Sequence, residues 1–244
     1  MKRIAILFAF CLPALHAQMP SGERVLEMVD ANMASDNRVV TATMVIHGRR
    51  GIRTIASKSW IEGETKSFTE YTAPAREKGT KMLKLQDRLW IYSPSTDRTI
   101  RISGHMLRQS VMGSDLSYED MMEDPKLSRR YRADVTEVQA VGARTCWVVN
   151  LTAVTPNVAY HSRRLWVDTE RHVPLKEELY AKGGKLLKRL ELSNLVKVGG
   201  RWYPKRLLFK DVLKEGDGTV FLVETLAFDQ DIPEYIFSKA ALRR

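Results

Sequence analysis

Residues 185–228 read KLLKRLELSNLVKVGGRWYPKRLLFKDVLKEGDGTVFLVETLAF, and this stretch decides the fold. It predicts three strands in succession, Lys185 to Val196, Arg201 to Lys210 and Thr219 to Phe228. Gly199-Gly200 and Glu215-Gly216-Asp217-Gly218 separate them, and such glycine-rich breaks are hairpin turns. Three long strands joined by turns this short pair antiparallel with their neighbours.

The same rhythm extends outward. Upstream, strands are expected over 134–141, 144–152, 162–167 and 175–180, with turns at Asp168-Thr169-Glu170-Arg171 and Gly183-Gly184. Further back, 39–47, 52–61, 66–72, 82–86, 89–93 and 99–102 are rich in β-branched and alternating residues. Thirteen such segments make a mainly β chain: one antiparallel meander. A sheet of that length must curl strongly or close, because flat edges invite mispairing. Three helical pieces accompany it. Ser21 to Asp36 carries Val25, Met28, Val29 and Met33 at helical spacing behind a capping Ser21; the others are Ser117 to Glu123 and Pro233 to Leu242. Several strands are apolar on both faces. In the last, Val220, Leu222, Leu226 and Phe228 alternate with Phe221, Val223 and Ala227, so the helices are expected to cover the open side.

The chain opens MKRIAILFAFCLPALHA: a basic tip, an apolar run from Ile4 to Leu12 and a small Ala17. That is the layout of a cleavable export signal over 1–17, leaving 18–244 as one domain outside the cytoplasm. The apolar run is well short of the roughly 20 residues a membrane-spanning helix needs. With Cys11 inside the leader, Cys146 has no internal disulfide partner, and in Cys146-Trp147-Val148-Val149 it reads as a small buried hydrophobe. The net charge of +10 falls to +8 without Lys2 and Arg3. For an exported protein this points to an anionic membrane surface or an acidic partner and away from nucleic acid.

Two regions carry specific patterns. One is RQSVMGSDLSYEDM, Arg108 to Met121. The other runs through Leu165-Trp166-Val167-Asp168, Val173-Pro174-Leu175-Lys176, Gly183-Gly184, Gly199-Gly200, Pro204, Asp211 and Ile232-Pro233-Glu234-Tyr235-Ile236-Phe237. Together they resemble the outer-membrane lipoprotein-sorting family of LolA/LolB-like proteins, in the branch with an MGSD-x-SYED signature. The resemblance implies a half-open β-barrel, covered by helices, whose hydrophobic cavity holds acyl chains of lipids or lipoproteins for transfer toward the outer membrane. It also implies an inner-membrane transporter or an outer-membrane acceptor as partner, in the periplasm. The aromatic residues expected to line such a cavity are Trp60, Phe68, Trp90, Trp147, Trp166, Phe209, Phe221 and Phe228. Met112, Gly113, Ser114, Asp115, Ser117, Tyr118 and Asp120 form the expected lid, with Gly113 as hinge.

Other chemistries find less support. There is no Gly-x-Ser-x-Gly elbow, and Ser114, Asp115 and His105 make a hydrolytic set only on paper, so the chain reads as non-enzymatic. Asp115, Glu119, Asp120, Glu123 and Asp124 lack calcium-loop spacing, and His47, His105, His161 and His172 lack zinc spacing. No cofactor or metal is expected. A periplasmic accessory protein of a lipid-exporting transporter is the alternative reading, and a lipid esterase is a more distant one. A packed interior would favour the accessory, a large apolar pocket the carrier.

Overall fold

The structure, a computed structural model, describes residues 19–48, 51–123, 126–156 and 158–244. The expected export signal lies outside the described residues.

Helix α1 (Gly22–Met33) starts where Ser21 Oγ accepts the Arg24 N–H at 3.2 Å. It buries Val25, Leu26 and Val29 on one side and stops at Ala34, whose backbone is extended. Thirteen strands follow the expected meander: β1 (Asn37–Gly48), β2 (Gly51–Glu62), β3 (Lys66–Ala73), β4 (Lys81–Leu85), β5 (Arg88–Ser93) and β6 (Arg98–Ile102). After short 3₁₀ turns and helix α2 (Tyr118–Met122) come β7 (Tyr131–Val141), β8 (Arg144–Ala153), β9 (Ser162–Asp168), β10 (Pro174–Tyr180), β11 (Leu186–Val198), β12 (Arg201–Asp211) and β13 (Gly218–Phe228). Their order in the single sheet is β6-β5-β4-β3-β2-β1-β13-β12-β11-β10-β9-β8-β7. The two halves of the chain meet where β1 pairs with β13, and the edge strands β6 and β7 do not pair with each other. The sheet is therefore a curled, half-open barrel.

Strand alternation divides the side chains between two faces. On the concave face, Met44, Ile46, Ile55, Tyr71, Met82, Leu89 and Ile91 pack under Val111, Met112, Tyr118 and Met121 of the segment that joins β6 to β7. Beside them, Val25, Leu26 and Val29 of α1 pack on Tyr131, Ala133, Val149, Leu151, Leu165 and Val167. Gly22 allows α1 to approach the edge of β7, since a Cβ there would lie 1.9 Å from the Ala133 carbonyl oxygen.

Two expectations need correction. The C-terminal piece, a pair of 3₁₀ turns at Glu234–Phe237 and Lys239–Arg243, does not cover the open side. Phe237, Ala241 and Leu242 instead seal the convex face over Phe68, Leu83 and Trp90. The strict alternation read for Val220 to Phe228 also fails. Thr41 pairs with Thr225 but Ala42 with Val223, so Glu224 is an extra, bulged residue. The bulge reverses the alternation and brings Phe228 onto the same face as Phe221.

Candidate functional site

The curled sheet and the helices in its opening border a partly open cavity of about 370 Å³. Val29 and Met33 of α1, Met121 of α2, and Leu127, Ile61 and Leu190 supply its apolar wall. Next to Ile61, Ser59, Ser67 and Thr69 form a hydroxyl stripe on β2 and β3, with Ser59 Oγ and Thr69 Oγ1 2.9 Å apart. Arg38, Lys84, Asp120, Glu123, Arg163 and Glu177 complete the lining. The interior is thus amphiphilic, with charges in its lining that the aromatic-lined cavity expected from the sequence does not have.

Charges survive inside because they are paired. Arg163 of β9 is almost wholly buried; its guanidinium lies 2.5 Å from Glu123 Oε2 and 3.7 Å from Glu177 Oε2, over the rings of Tyr131 and Tyr160. Burial pushes the Glu177 carboxyl above its ordinary pKa despite the opposing pull of Arg163, with Glu123 adding to the rise. Glu123 Oε1 also accepts the Ala159 N–H at 3.0 Å. Asp120 accepts from Ser117 N–H at 2.7 Å and Ser117 Oγ at 2.9 Å, completing the cap of α2, and from Tyr160 Oη and Lys188 Nζ. Lys84 Nζ donates to the Met122 carbonyl at 3.1 Å. Helix α2 is therefore tied to β4, β9 and β11 by ions and hydrogen bonds, while Met121 and Met122 supply the grease.

The residues just before α2 are anchored differently. Ser114 and Asp115 are buried. Asp115 accepts from Thr219 Oγ1 at 2.8 Å and from the Asp211 N–H at 3.0 Å, and its own N–H donates to Thr219 Oγ1 at 3.0 Å. One carboxylate thus clamps the segment onto the β12–β13 hairpin. Lys214 Nζ donates to the Ser114 carbonyl at 2.6 Å. Met112 (φ 51°) and Gly113 (φ 75°) both adopt left-handed backbone, and Arg53 Nη2 donates to the Met112 carbonyl at 2.7 Å. The Ser114 hydroxyl has no exposure and lies 3.2 Å from the Leu116 N–H that it accepts, whereas His105 is exposed on a separate turn.

Read from the sequence as one lining, the eight aromatic residues divide between the two faces. Phe209, Phe221 and Phe228 lie on the concave side, Phe209 and Phe221 edge to face at 5.4 Å and Phe228 against Tyr203 at 6.1 Å. Trp147 packs beside α1's cluster and stacks on His172. Trp60, Phe68 and Trp90 belong to the convex cluster under the C-terminal turns, and Trp166 to a second convex cluster with Cys146, Val148 and Leu175. None of the eight borders the 370 Å³ cavity. Among the residues that do border it and were not singled out, Arg38, Lys84, Arg163 and Glu177 are charges at inward strand positions. Their signal was parity: Glu177 and Leu179 share a face of β10, as Arg163 and Leu165 do on β9.

The motif Leu165-Trp166-Val167-Asp168 is structural. Asp168 is fully buried and takes two bonds from Arg144, at 2.6 and 2.9 Å, with two more from the N–H groups of Glu170 and Arg171 at 2.9 and 3.0 Å. Burial pulls its pKa up, but these donors outweigh it and hold the carboxyl below the usual range. Burial pushes the Cys146 thiol up to about 11.

Among the described residues no helix is long and apolar enough to cross a membrane. A family model described as "-like: Uncharacterized protein" matches residues 63–244. No curated protein matches the chain. Solved structures do. A DUF1329 family protein from Desulfovibrio piger superimposes with a TM-score of 0.83 at 25% identity, over 91% of this chain and 97% of that one. An outer membrane lipoprotein-sorting protein domain from Vibrio parahaemolyticus gives 0.79 at 23%, covering 91% and 98%. A LolA superfamily protein from Nitrosomonas europaea gives 0.76 at 24%, covering 91% and 100%. The chain belongs to the family matched over residues 63–244, and its fold is the LolA-like half-open barrel.

Proposed function

We propose that this chain is a non-enzymatic periplasmic carrier, exported by its leader, that holds acyl chains of lipids or lipoproteins on the concave face of the barrel for transfer toward the outer membrane. The observation that carries the reading is the cavity on the concave face, lined in part by Val29, Met33, Ile61, Met121 and Leu190, with residues of both helices at its edge. Proteins of the same fold include one described as an outer membrane lipoprotein-sorting domain, which supports it. Burial of a sixteen-carbon chain gains on the order of 12 kcal/mol gross at about 0.8 kcal/mol per CH₂, so such a chain leaves a bilayer only into a comparable apolar surface. In this reading Trp147, Phe209, Phe221 and Phe228 contact the cargo as the interior opens. Met112 to Asp120 acts as the lid, fixed at Asp115 and released at Asp120.

A second reading is an accessory protein of a lipid-exporting transporter that carries nothing. It is favoured by the extent of packing: both concave clusters are filled by side chains, and the cavity is small and half polar. Mass spectrometry of the protein purified natively from its own cells separates the two. A co-purifying lipid or acylated peptide supports the carrier. Protein free of lipid that also fails to take up a fluorescent fatty acid overturns it in favour of the accessory.

A further inference from the structure

Neighbouring hairpins form a row along one edge of the sheet. In the strand order β4-β3-β2-β1-β13-β12-β11-β10, the hairpins β3–β4, β1–β2, β12–β13 and β10–β11 all turn at the same end of their strands. The two central ones are close-set, since a Cβ on Gly216 would lie 2.4 Å from the His47 carbonyl oxygen. Among the described residues, the exposed charges in and beside these turns are Arg53, Arg76, Lys78, Lys182 and Lys185 against Glu215 and Asp217. At the opposite ends of the same strands the balance reverses, with Asp36, Asp87, Glu170, Asp229 and Asp231 against Arg88 and Lys197. Two large aliphatic side chains project from the middle of the basic row, Ile52 at 67% exposure and Leu213 at 60%. Two isolated aliphatic residues among charges are too little apolar area for the core of a protein interface, which is also poor in lysine. They suit a bilayer, where the cations meet anionic headgroups and the aliphatic tips enter the interfacial layer.

We propose that this row of hairpins is the protein's membrane-docking face. It seats on an anionic phospholipid surface with Ile52 and Leu213 in the interfacial layer, Arg53, Arg76, Lys78, Lys182 and Lys185 against the headgroups, and the acidic strand ends pointing away. Net charge alone attracts the protein without choosing a side; the hairpins choose it. Docking of this kind does not depend on the cavity and serves a carrier and an accessory protein alike. Arg53 and the β12–β13 hairpin also hold the segment from Met112 to Asp115, so docking brings the membrane beside that segment.

The test sediments the exported protein, purified from its own cells, at low salt with vesicles of phosphatidylcholine alone or mixed in equal parts with phosphatidylglycerol. Binding is expected to the mixed vesicles only. Lys182→Glu with Lys185→Glu should weaken it at least about tenfold, as two basic residues at a charged surface are lost and reversed. Arg88→Glu with Lys197→Glu changes the net charge equally at the acidic ends and should weaken it less than about threefold, because those ends face away from the surface by more than a Debye length. Leu213→Cys labelled with nitrobenzoxadiazole, a dye that brightens in apolar surroundings, should brighten on mixed vesicles, and Asp231→Cys labelled likewise should not. The buried Cys146 is shielded from the label, and every substituted side chain is exposed. Equal losses in the two charge-reversed pairs would overturn the proposal, by showing that overall charge governs binding. A Leu213 label that stays dim, an Asp231 label that brightens as much, or equal binding to both kinds of vesicle would overturn it as well. Binding to neither vesicle would overturn it and leave the basic edge to an acidic protein partner.

Discussion

Two buried carboxylates in this protein have opposite electrostatic histories, and pH should separate them. Asp168 is ionised and held by four donors. Its folded pKa lies below the unfolded one, so its contribution is present above the unfolded value near 3.9 and is lost as pH falls through the folded value. Asp168→Asn should cost about 3 kcal/mol at neutral pH, because Arg144 and two backbone N–H groups lose their anion. Urea unfolding at pH 7 checks this, and the deficit should shrink in strong acid. Glu177 runs the other way. Burial raises its folded pKa, so stability is fully present below the unfolded value and declines as pH rises through the folded one. Glu177→Gln should therefore raise the Tm at pH 7 and leave it unchanged well below pH 4. A lower Tm at both pH values would show that the Glu177–Arg163 contact outweighs desolvation.

At the scale of elements, the two halves of the segment from Met112 to Glu123 are held differently. The Asp115 carboxylate is clamped to the β12–β13 hairpin by uncharged donors and the Ser114 carbonyl takes a bond from Lys214, while α2 hangs on ion pairs and a capping box. A five-residue helix has too few internal bonds to persist alone, so its order is borrowed from those contacts. Asp120→Asn removes the ionic hold of Lys188 and weakens the cap. Amide exchange over 117–123 should accelerate at least about tenfold, while exchange in β12 and β13 stays as it was. The C-terminal turns are a structural seal on the other face of the sheet. Leu242 is fully buried against the convex face, and Leu242→Ala should destabilise the fold by about 2–5 kcal/mol, measured by chemical unfolding, with little effect on ligand affinity.

Over the whole molecule, 39 Lys and Arg against 29 Asp and Glu give a net charge of +10, and much of the buried charge is internally paired. The excess is carried by the surface and should draw the protein to anionic bilayers. Co-sedimentation with anionic vesicles is expected at low salt. It should disappear as the Debye length shrinks from about 10 Å at 0.1 M to about 3 Å at 1 M. Salt-independent sedimentation would instead indicate apolar insertion.

All thirteen strands and both concave-face helices were legible in the sequence, because period-two alternation, β-branched runs and glycine turns are local signals that the chain carries wherever it packs. The need for the sheet to curl followed from the strand number alone. What the sequence left open was which face of each strand becomes the interior. Trp60, Phe68, Trp90 and Trp166 are as apolar as any concave residue, and only the register and the C-terminal turns place them on the convex side. A single bulge at Glu224 moved Phe228 across the sheet. The charged lining was hidden for the same reason. Arg38, Arg163 and Glu177 look like surface residues until strands far apart in the chain close around them and pairing replaces water. Local pattern determined the elements; burial, which depends on long-range closure, decided the site.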